Sequence, residues 1–181
     1  MAKPKIATTS LAGCFGCHMS ILDIDERLVD LIEVIDFDKS PIDDIKTFTD
    51  RCAVGLVEGG CANEENVDVL RSFREYCDIL VALGGCAING DIPSLRNTVP
   101  LEECIREAYF DGPSVYNPDG VIPNDKELPL LLDKVYPCSE VVKIDYSIPG
   151  CPPHAEAIWI VLNALLKGEP IEIPYEYMRY D

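Results

Sequence analysis

Short apolar runs rich in β-branched residues alternate along this chain with amphipathic stretches of helical period. Lys5–Ser10, Ile32–Phe37, Ala53–Glu58, Ile79–Leu83 and Val141–Asp145 read as strands, each five or six residues long. Met19–Leu31 sets Met19, Leu22, Leu28 and Leu31 at helical spacing, with Ser20 and Asp23 near its start. Asn63–Tyr76 predicts a helix with Asn63 as N-cap and with Glu64 and Glu65 on the positive end of its dipole. Leu101–Tyr109 is a short helix, and Ala155–Leu166 is the last long one, ended by Lys167-Gly168. Asp111–Pro129 is rich in Pro, Gly, Asn and Asp and predicts a long surface loop of the kind that faces a partner. Ile171–Asp181 carries Tyr175, Tyr177 and Tyr180 and reads as a docking tail. Strand and helix in alternation predict an α/β fold: a flavodoxin-like doubly wound parallel sheet of about five strands, one domain over residues 1–181.

Composition narrows the function classes. The length of 181 residues suits one domain with a full core. No apolar run is long enough to span a bilayer, so no membrane role is expected. The N-terminal Met-Ala-Lys-Pro-Lys leads into a strand pattern without an apolar signal region, which predicts a cytoplasmic protein. A net charge of −17 argues against a nucleic-acid partner. It serves solubility, or steers the chain toward a basic partner surface.

Cysteine usage changes the picture most. The count is nine, an odd number that does not suit a closed disulfide framework. Five follow a glycine: Gly13-Cys14, Gly16-Cys17, Gly60-Cys61, Gly85-Cys86 and Gly150-Cys151. Each lies past the carboxyl end of a predicted strand, which is where open α/β sheets bind ligands. Cys52 and Cys77 fall at strand beginnings, on the opposite edge. Cys104 sits in a helix pattern and Cys138 in a turn after Pro137. Those four read as ordinary buried or loop thiols. A four-iron cluster takes four thiolates, and Cys14-x-x-Cys17 supplies two of them from one loop. A thioredoxin-like dithiol needs no further cysteines around it. Structural zinc favours two close pairs, whereas Cys86 and Cys151 are isolated. For the remaining places Cys61 competes with Cys86 and Cys151, and spacing alone leaves it in contention.

Four ordered segments carry a resemblance: Gly13-Cys14-Phe15-Gly16-Cys17-His18, Val57-Glu58-Gly59-Gly60, Gly84-Gly85-Cys86-Ala87 and Ile148-Pro149-Gly150-Cys151-Pro152-Pro153. The chain resembles the small subunits of [NiFe] hydrogenases, over most of its length. The resemblance implies that Cys14, Cys17, Cys86 and Cys151 hold a proximal [4Fe-4S] cluster as its metal ligands, and that Cys61 does not. Larger members carry a further domain for two more clusters. Here no cysteine follows Cys151, so one cluster is expected. A short, single-cluster form is similar to the cytoplasmic NAD-reducing (bidirectional) hydrogenase type. The related cluster-bearing subunit of respiratory complex I, a quinone-reductase alternative, begins its site with two adjacent cysteines, unlike the spaced pair here. A zinc- or thiol-structured binding module is the alternative of a different class.

That resemblance also implies partners: a NiFe-bearing large subunit, since this chain lacks the paired Cys-x-x-Cys motifs of such a centre, and flavin- and cluster-bearing diaphorase subunits. No catalytic residue is expected in this chain itself. Glu58 reads either as a capping carboxylate or, on the resemblance, as a proton relay or hydrogen-bonding group facing the large subunit. His18 and His154 read as supporting or surface residues able to donate to a sulfide or carbonyl. FMN is not expected in this chain. Thr8, Thr9 and Ser10 precede the first loop as in a phosphate cradle, but Cys14 and Cys17 occupy that loop.

Overall fold

A computed structural model of the protein describes residues 3–180. Met1 and Ala2 of the N-terminal segment and Asp181 of the predicted tail lie outside the described residues. In chain order the elements are β1 (Lys5–Ser10), α1 (Gly16–Leu22), α2 (Arg27–Val34), β2 (Asp36–Phe37), β3 (Cys52–Glu58), β4 (Cys61–Asn63), α3 (Glu64–Tyr76), β5 (Cys77–Leu83), α4 (Gly85–Asn89), α5 (Leu101–Arg106), β6 (Leu131–Tyr136), β7 (Tyr146–Ile148) and α6 (Ala155–Lys167). A 3-10 stretch, Ile92–Thr98, precedes α5, and a π-helical turn, Glu107–Asp111, follows it.

The expected five-stranded parallel sheet is present, in the order β2-β1-β3-β5-β7. Alternation along the strands feeds two cores. Ile6, Val54, Leu56, Val81 and Leu83 face one side, packed by Ile21, Leu31, Ile158, Val161 and Leu162 of α1, α2 and α6. Ala7, Val57, Leu80 and Ala82 face the other, against Leu70 and Phe73 of α3. Both faces are covered, as a parallel sheet requires. Each buried Ile or Leu side chain contributes on the order of 2 kcal/mol. Asn63 caps α3 as expected, its Oδ1 accepting from the Asn66 N–H at 2.8 Å.

Four element boundaries depart from expectation. The run Met19–Leu31 is two helices, because Asp25 takes a left-handed conformation at φ 64° between α1 and α2. Ile32–Val34 therefore ends α2, and the second strand is only Asp36–Phe37. Val141–Asp145 is not a strand. Val141, Val142 and Ile144 pack on the α3-side core from irregular chain. The edge strand is Tyr146–Ile148, paired with Val81–Leu83. The segment Leu101–Tyr109 stays α-helical only to Arg106. An antiparallel pair, β4 with β6, was not foreseen. Asn97 acts as an extra rung for it: its side chain donates to Val135 O at 2.9 Å and accepts from Val135 N at 2.8 Å.

Among the described residues no helix is long and apolar enough to cross a membrane. The chain from Gly112 to Pro129 is irregular, as the sequence predicts. Ten large apolar residues between Ile92 and Leu131 stand exposed, including Leu95, Tyr116, Val121 and Ile122. In the tail, Tyr175 and Tyr180 are exposed, while Tyr177 packs on the helical core with its ring 5.0 Å from that of His154.

Candidate metal centre

The first two thiols come from the turn between β1 and α1. Ala12 and Gly60 exchange backbone hydrogen bonds, each 2.9 Å, which staples the chain leaving β1 to the chain leaving β3. Cys14 then emerges exposed, and Phe15 turns the chain with φ 67°. That left-handed conformation costs a non-glycine residue on the order of 1 kcal/mol. The Phe15 ring stacks on His18 at 4.4 Å, which offsets the cost. Helix α1 starts at Gly16 and turns Cys17 inward.

Glu58 holds that helix start. No side chain at Phe15 caps α1. Instead Glu58, the last residue of β3, reaches across, and its Oε2 accepts from the N–H groups of Cys17 (2.9 Å) and His18 (3.3 Å). Two of the helix's orphan donors are thereby satisfied. His18 Nδ1 lies 2.9 Å from Glu58 Oε1, at ion-pair distance but without hydrogen-bond alignment. On its other side His18 Nε2 meets Thr8 Oγ1 at 3.0 Å, and Thr8 Oγ1 meets Ser40 Oγ at 2.9 Å. Glu58, His18, Thr8 and Ser40 are all buried. Burial would raise the Glu58 carboxyl, but His18, Ser10 and Cys17 outweigh it and hold it below the usual carboxylate range. Burial, then the nearby Glu58 carboxylate, push the Cys17 thiol well above its ordinary value.

The other two thiols come from the opposite flank of β3. Gly84 N–H donates to Ile148 O (2.9 Å) and Gly85 N–H to Gly150 O (3.0 Å), so the chains leaving β5 and β7 are stapled in turn. Gly84 has φ 83°, and a Cβ there would run into Cys17 Sγ. Gly150 has φ 136°, and a Cβ would lie 2.5 Å from Pro153 Cα. These two positions demand glycine. They let Cys17 and the Cys86 loop close together and aim Cys151 outward. Burial first, then the charges of Asp91, Cys151 and Cys14, push the Cys86 thiol up. Cys86 and Cys14 act in the same way on Cys17. The four thiols of Cys14, Cys17, Cys86 and Cys151 thus share one local field at the carboxyl edge of the sheet. A cleft of about 550 Å³ opens beside Cys151, bounded by Ser20, Asp23, His154 and Arg179.

Cys61 takes no part in that group. It is buried at the start of β4 on the α3-side core, against Cys138, whose thiol donates to Gly59 O at 3.3 Å. Cys52 and Cys77 face each other in register at the far ends of β3 and β5, and Cys104 is half-buried in α5. His154 takes a supporting place: its Nδ1 accepts from Glu156 N–H at 3.1 Å and caps α6, which leaves Nε2 able to donate. Sequence reasoning missed the Thr8–His18–Glu58 chain and the approach of Asp91 to Cys86; nothing in the periodicity signals either.

Among the described residues no three His, Cys, Asp or Glu side chains close on a point as a single metal ion requires. Instead four thiols, two from the β1–α1 loop and one each from the loops after β5 and β7, act on one another at the sheet edge. A polynuclear cluster with one thiolate per iron fits that donor set; mononuclear zinc needs all four sulfurs within about 2.3 Å of one ion.

The family model for the NADH ubiquinone oxidoreductase 20 Kd subunit matches residues 14–165. The chain belongs to this family. It is 47% identical over 180 residues to the NAD-reducing hydrogenase HoxS subunit delta of Cupriavidus necator, covering 99% of this chain and 86% of that protein. It is 37% identical over 181 residues to the iron-sulfur subunit of the F420-non-reducing hydrogenase of Archaeoglobus profundus, a match over 91% of this chain and 56% of the relative's length. A chain in the crystal structure of an NAD+-reducing [NiFe]-hydrogenase in the H2-reduced state superposes with a TM-score of 0.94 at 50% identity, covering 99% of each chain. The resemblance read from the four motifs is upheld.

Proposed function

We propose that this chain is the electron-transfer small subunit of a cytoplasmic NAD-reducing [NiFe] hydrogenase, one domain carrying one [4Fe-4S] cluster on Cys14, Cys17, Cys86 and Cys151. The observation that carries this reading is the gathering of those four thiols, from motifs spread over most of the chain, while Cys61 is sequestered with Cys138. The near-full-length similarity to the HoxS delta subunit supports the NAD-linked type. Such a cluster exchanges single electrons, joining H2 oxidation in a NiFe-bearing partner to NAD+ reduction in a diaphorase partner: H2 + NAD+ = H+ + NADH.

This chain's own part is placement and insulation. The two backbone staples fix the four loops relative to one another. Glu58 and the buried His18 anchor the Cys17 helix without exposing charge. Glu58 touches the backbone of Cys17 at the thiol edge, which keeps a proton-relay role open to test. The exposed apolar residues between Ile92 and Leu131, and Tyr175 and Tyr180, are suited to burial under partner subunits. Iron and acid-labile sulfide analysis of the anaerobically purified complex tests the reading. About four of each per chain is expected. Zinc in place of iron, two clusters, or a cluster-loaded chain that purifies with no large subunit would refute it.

A further inference from the structure

Asp91 is held in an unusual conformation beside Cys86. Its φ of 31° and ψ of −128° lie outside the regions a non-glycine residue normally occupies. The chain around it is fixed. Asn89 Oδ1 accepts from the Asp91 N–H at 3.1 Å, and the Asp91 carbonyl accepts from Ser94 N–H (3.1 Å) and Ser94 Oγ (2.7 Å). The consequence falls on the turn that carries Cys86. The Asp91 carboxylate folds back over Gly85, so that a Cβ at residue 85 would lie 2.5 Å from Oδ2 and 3.1 Å from Cγ. Gly85 has no side chain, and the acid occupies the room beside the cysteine.

An ordinary turn acid caps a helix or pairs with a cation. Asp91 does neither: its side chain does not cap the 3-10 stretch that follows, and no Lys or Arg forms an ion pair with it among the described residues. The nearest basic side chain in sequence, Arg96, is committed to the carbonyls of Ala62, Leu132 and Asp133. The negative charge is therefore uncompensated, and it stands first among the charges acting on Cys86.

We infer that Asp91 is a potential-setting residue: its strained backbone turns the side chain back over Gly85, and its uncompensated carboxylate holds the cluster bound at Cys86 at a more reducing potential. The inference rests on the proposed cluster ligation by Cys86. The sign follows from charge. Reduction adds an electron to the cluster, and a fixed negative charge opposes that addition. A more reducing cluster gives electrons up readily to a low-potential acceptor and competes less well for them with the partner centre.

Asp91→Asn tests this in the intact purified complex. Asn keeps the size and tolerates positive φ, so the backbone conformation persists while the charge goes. Redox titration followed by the EPR signal of the reduced cluster should place the Asn midpoint at a more positive potential, with iron content unchanged. At a fixed poise near the wild-type midpoint, the reduced-to-oxidised ratio should rise several-fold. Asp91→Gly, which removes both strain and charge, should also load iron and move the midpoint in the same direction. An unchanged or more negative midpoint in Asp91→Asn would overturn the inference. A shift confined to Asp91→Gly would assign the effect to the backbone, and loss of iron in both variants would make Asp91 a structural support; either result overturns it too. A wild-type complex without iron would instead defeat the ligation reading.

Discussion

Cys77 and Cys86 stand nine residues apart, at opposite ends of one strand and its following turn, and the fold uses them for different ends. Cys77 opens β5 in register with Cys52 of β3, fully buried. It fills the space over Gly55, where a Cβ would come within 2.6 Å of its sulfur. Burial pushes its thiol up to about 12, so at neutral pH it is a small hydrophobe. Cys86 lies past the other end, where the strands' loops are open and three further thiols act on one another. Burial raises both thiols; what separates them is company. Cys77 has one neighbouring thiol within a packed core, and Cys86 has three at an edge that a cluster can enter. In a parallel sheet, edge decides between packing and chemistry for one and the same residue type.

Substitution breaks that comparison most sharply. Cys86→Ser and Cys151→Ser should each abolish the intact four-iron cluster, read as lost iron, sulfide and EPR signal. Cys77→Ala and Cys61→Ala should keep full iron content and lower stability by about 1–2 kcal/mol, the cost of a small buried cavity, read from denaturant midpoints. Retained iron in Cys86→Ser together with lost iron in Cys61→Ala would reverse the assignment.

The division between the two edges was legible in the sequence because a Gly-Cys pair after a β-branched run marks both a strand's end and its direction. Cys61 was the exception. It follows Gly59-Gly60 like a ligand, yet the backbone bridge between Ala12 and Gly60 commits that turn to the β1 loop, and β4 carries Cys61 into the α3-side core. Long-range pairing of β4 with β6, some seventy residues on, makes that choice, and no local pattern encodes it. The edge strand β7 was hidden for a related reason. Val141–Asp145 is the more apolar run, but Asp145 takes the Leu80 N–H on its carboxylate at 2.9 Å, and regular pairing begins only at Tyr146. Glu58 had two readings, and the capping one is realised in the geometry, though across strands rather than within the helix.

Glu58 sharpens the comparison from the thiol side, with a smaller effect than ligand loss. Glu58→Ala leaves the N–H groups of Cys17 and His18 buried without their acceptor. At about 1–3 kcal/mol for each unsatisfied group, the start of α1 should loosen, and iron content should fall with increased sensitivity to oxygen. Glu58→Gln keeps an acceptor oxygen and should keep iron at the wild-type level. Its H2/D+ exchange rate then separates two roles. Slowed exchange at full iron content marks Glu58 as a proton-carrying group, and unchanged exchange across the accessible pH range leaves it a cap.

The smallest effect belongs to the edge far from the chemistry, where Asp145 ties three elements together. Its Oδ2 meets Arg74 of α3 at 2.6 Å and accepts from the Leu80 N–H, while Oδ1 lies 3.0 Å from Lys143 Nζ. Burial alone would raise this carboxyl, but Arg74, the Leu80 N–H and Lys143 overcome it and hold it down to about 2. The side chain is largely shielded, so solvent screening is modest. A carboxyl whose folded value lies below its unfolded value stabilises the fold above the unfolded value of about 3.9, and loses that contribution as pH falls toward the folded one. The difference amounts to about 2 kcal/mol. Asp145→Asn should therefore lower stability at pH 7 by about that amount and flatten the acid limb of the stability profile between about pH 4 and pH 2. Iron content at neutral pH should not change, because Asp145 acts on the β5–β7 edge and the ligand loops are held by their own backbone staples. An acid limb as steep in Asp145→Asn as in the wild type would show that other carboxylates carry the acid sensitivity, and that Arg74 and Lys143 contribute charge at the surface without securing the strand.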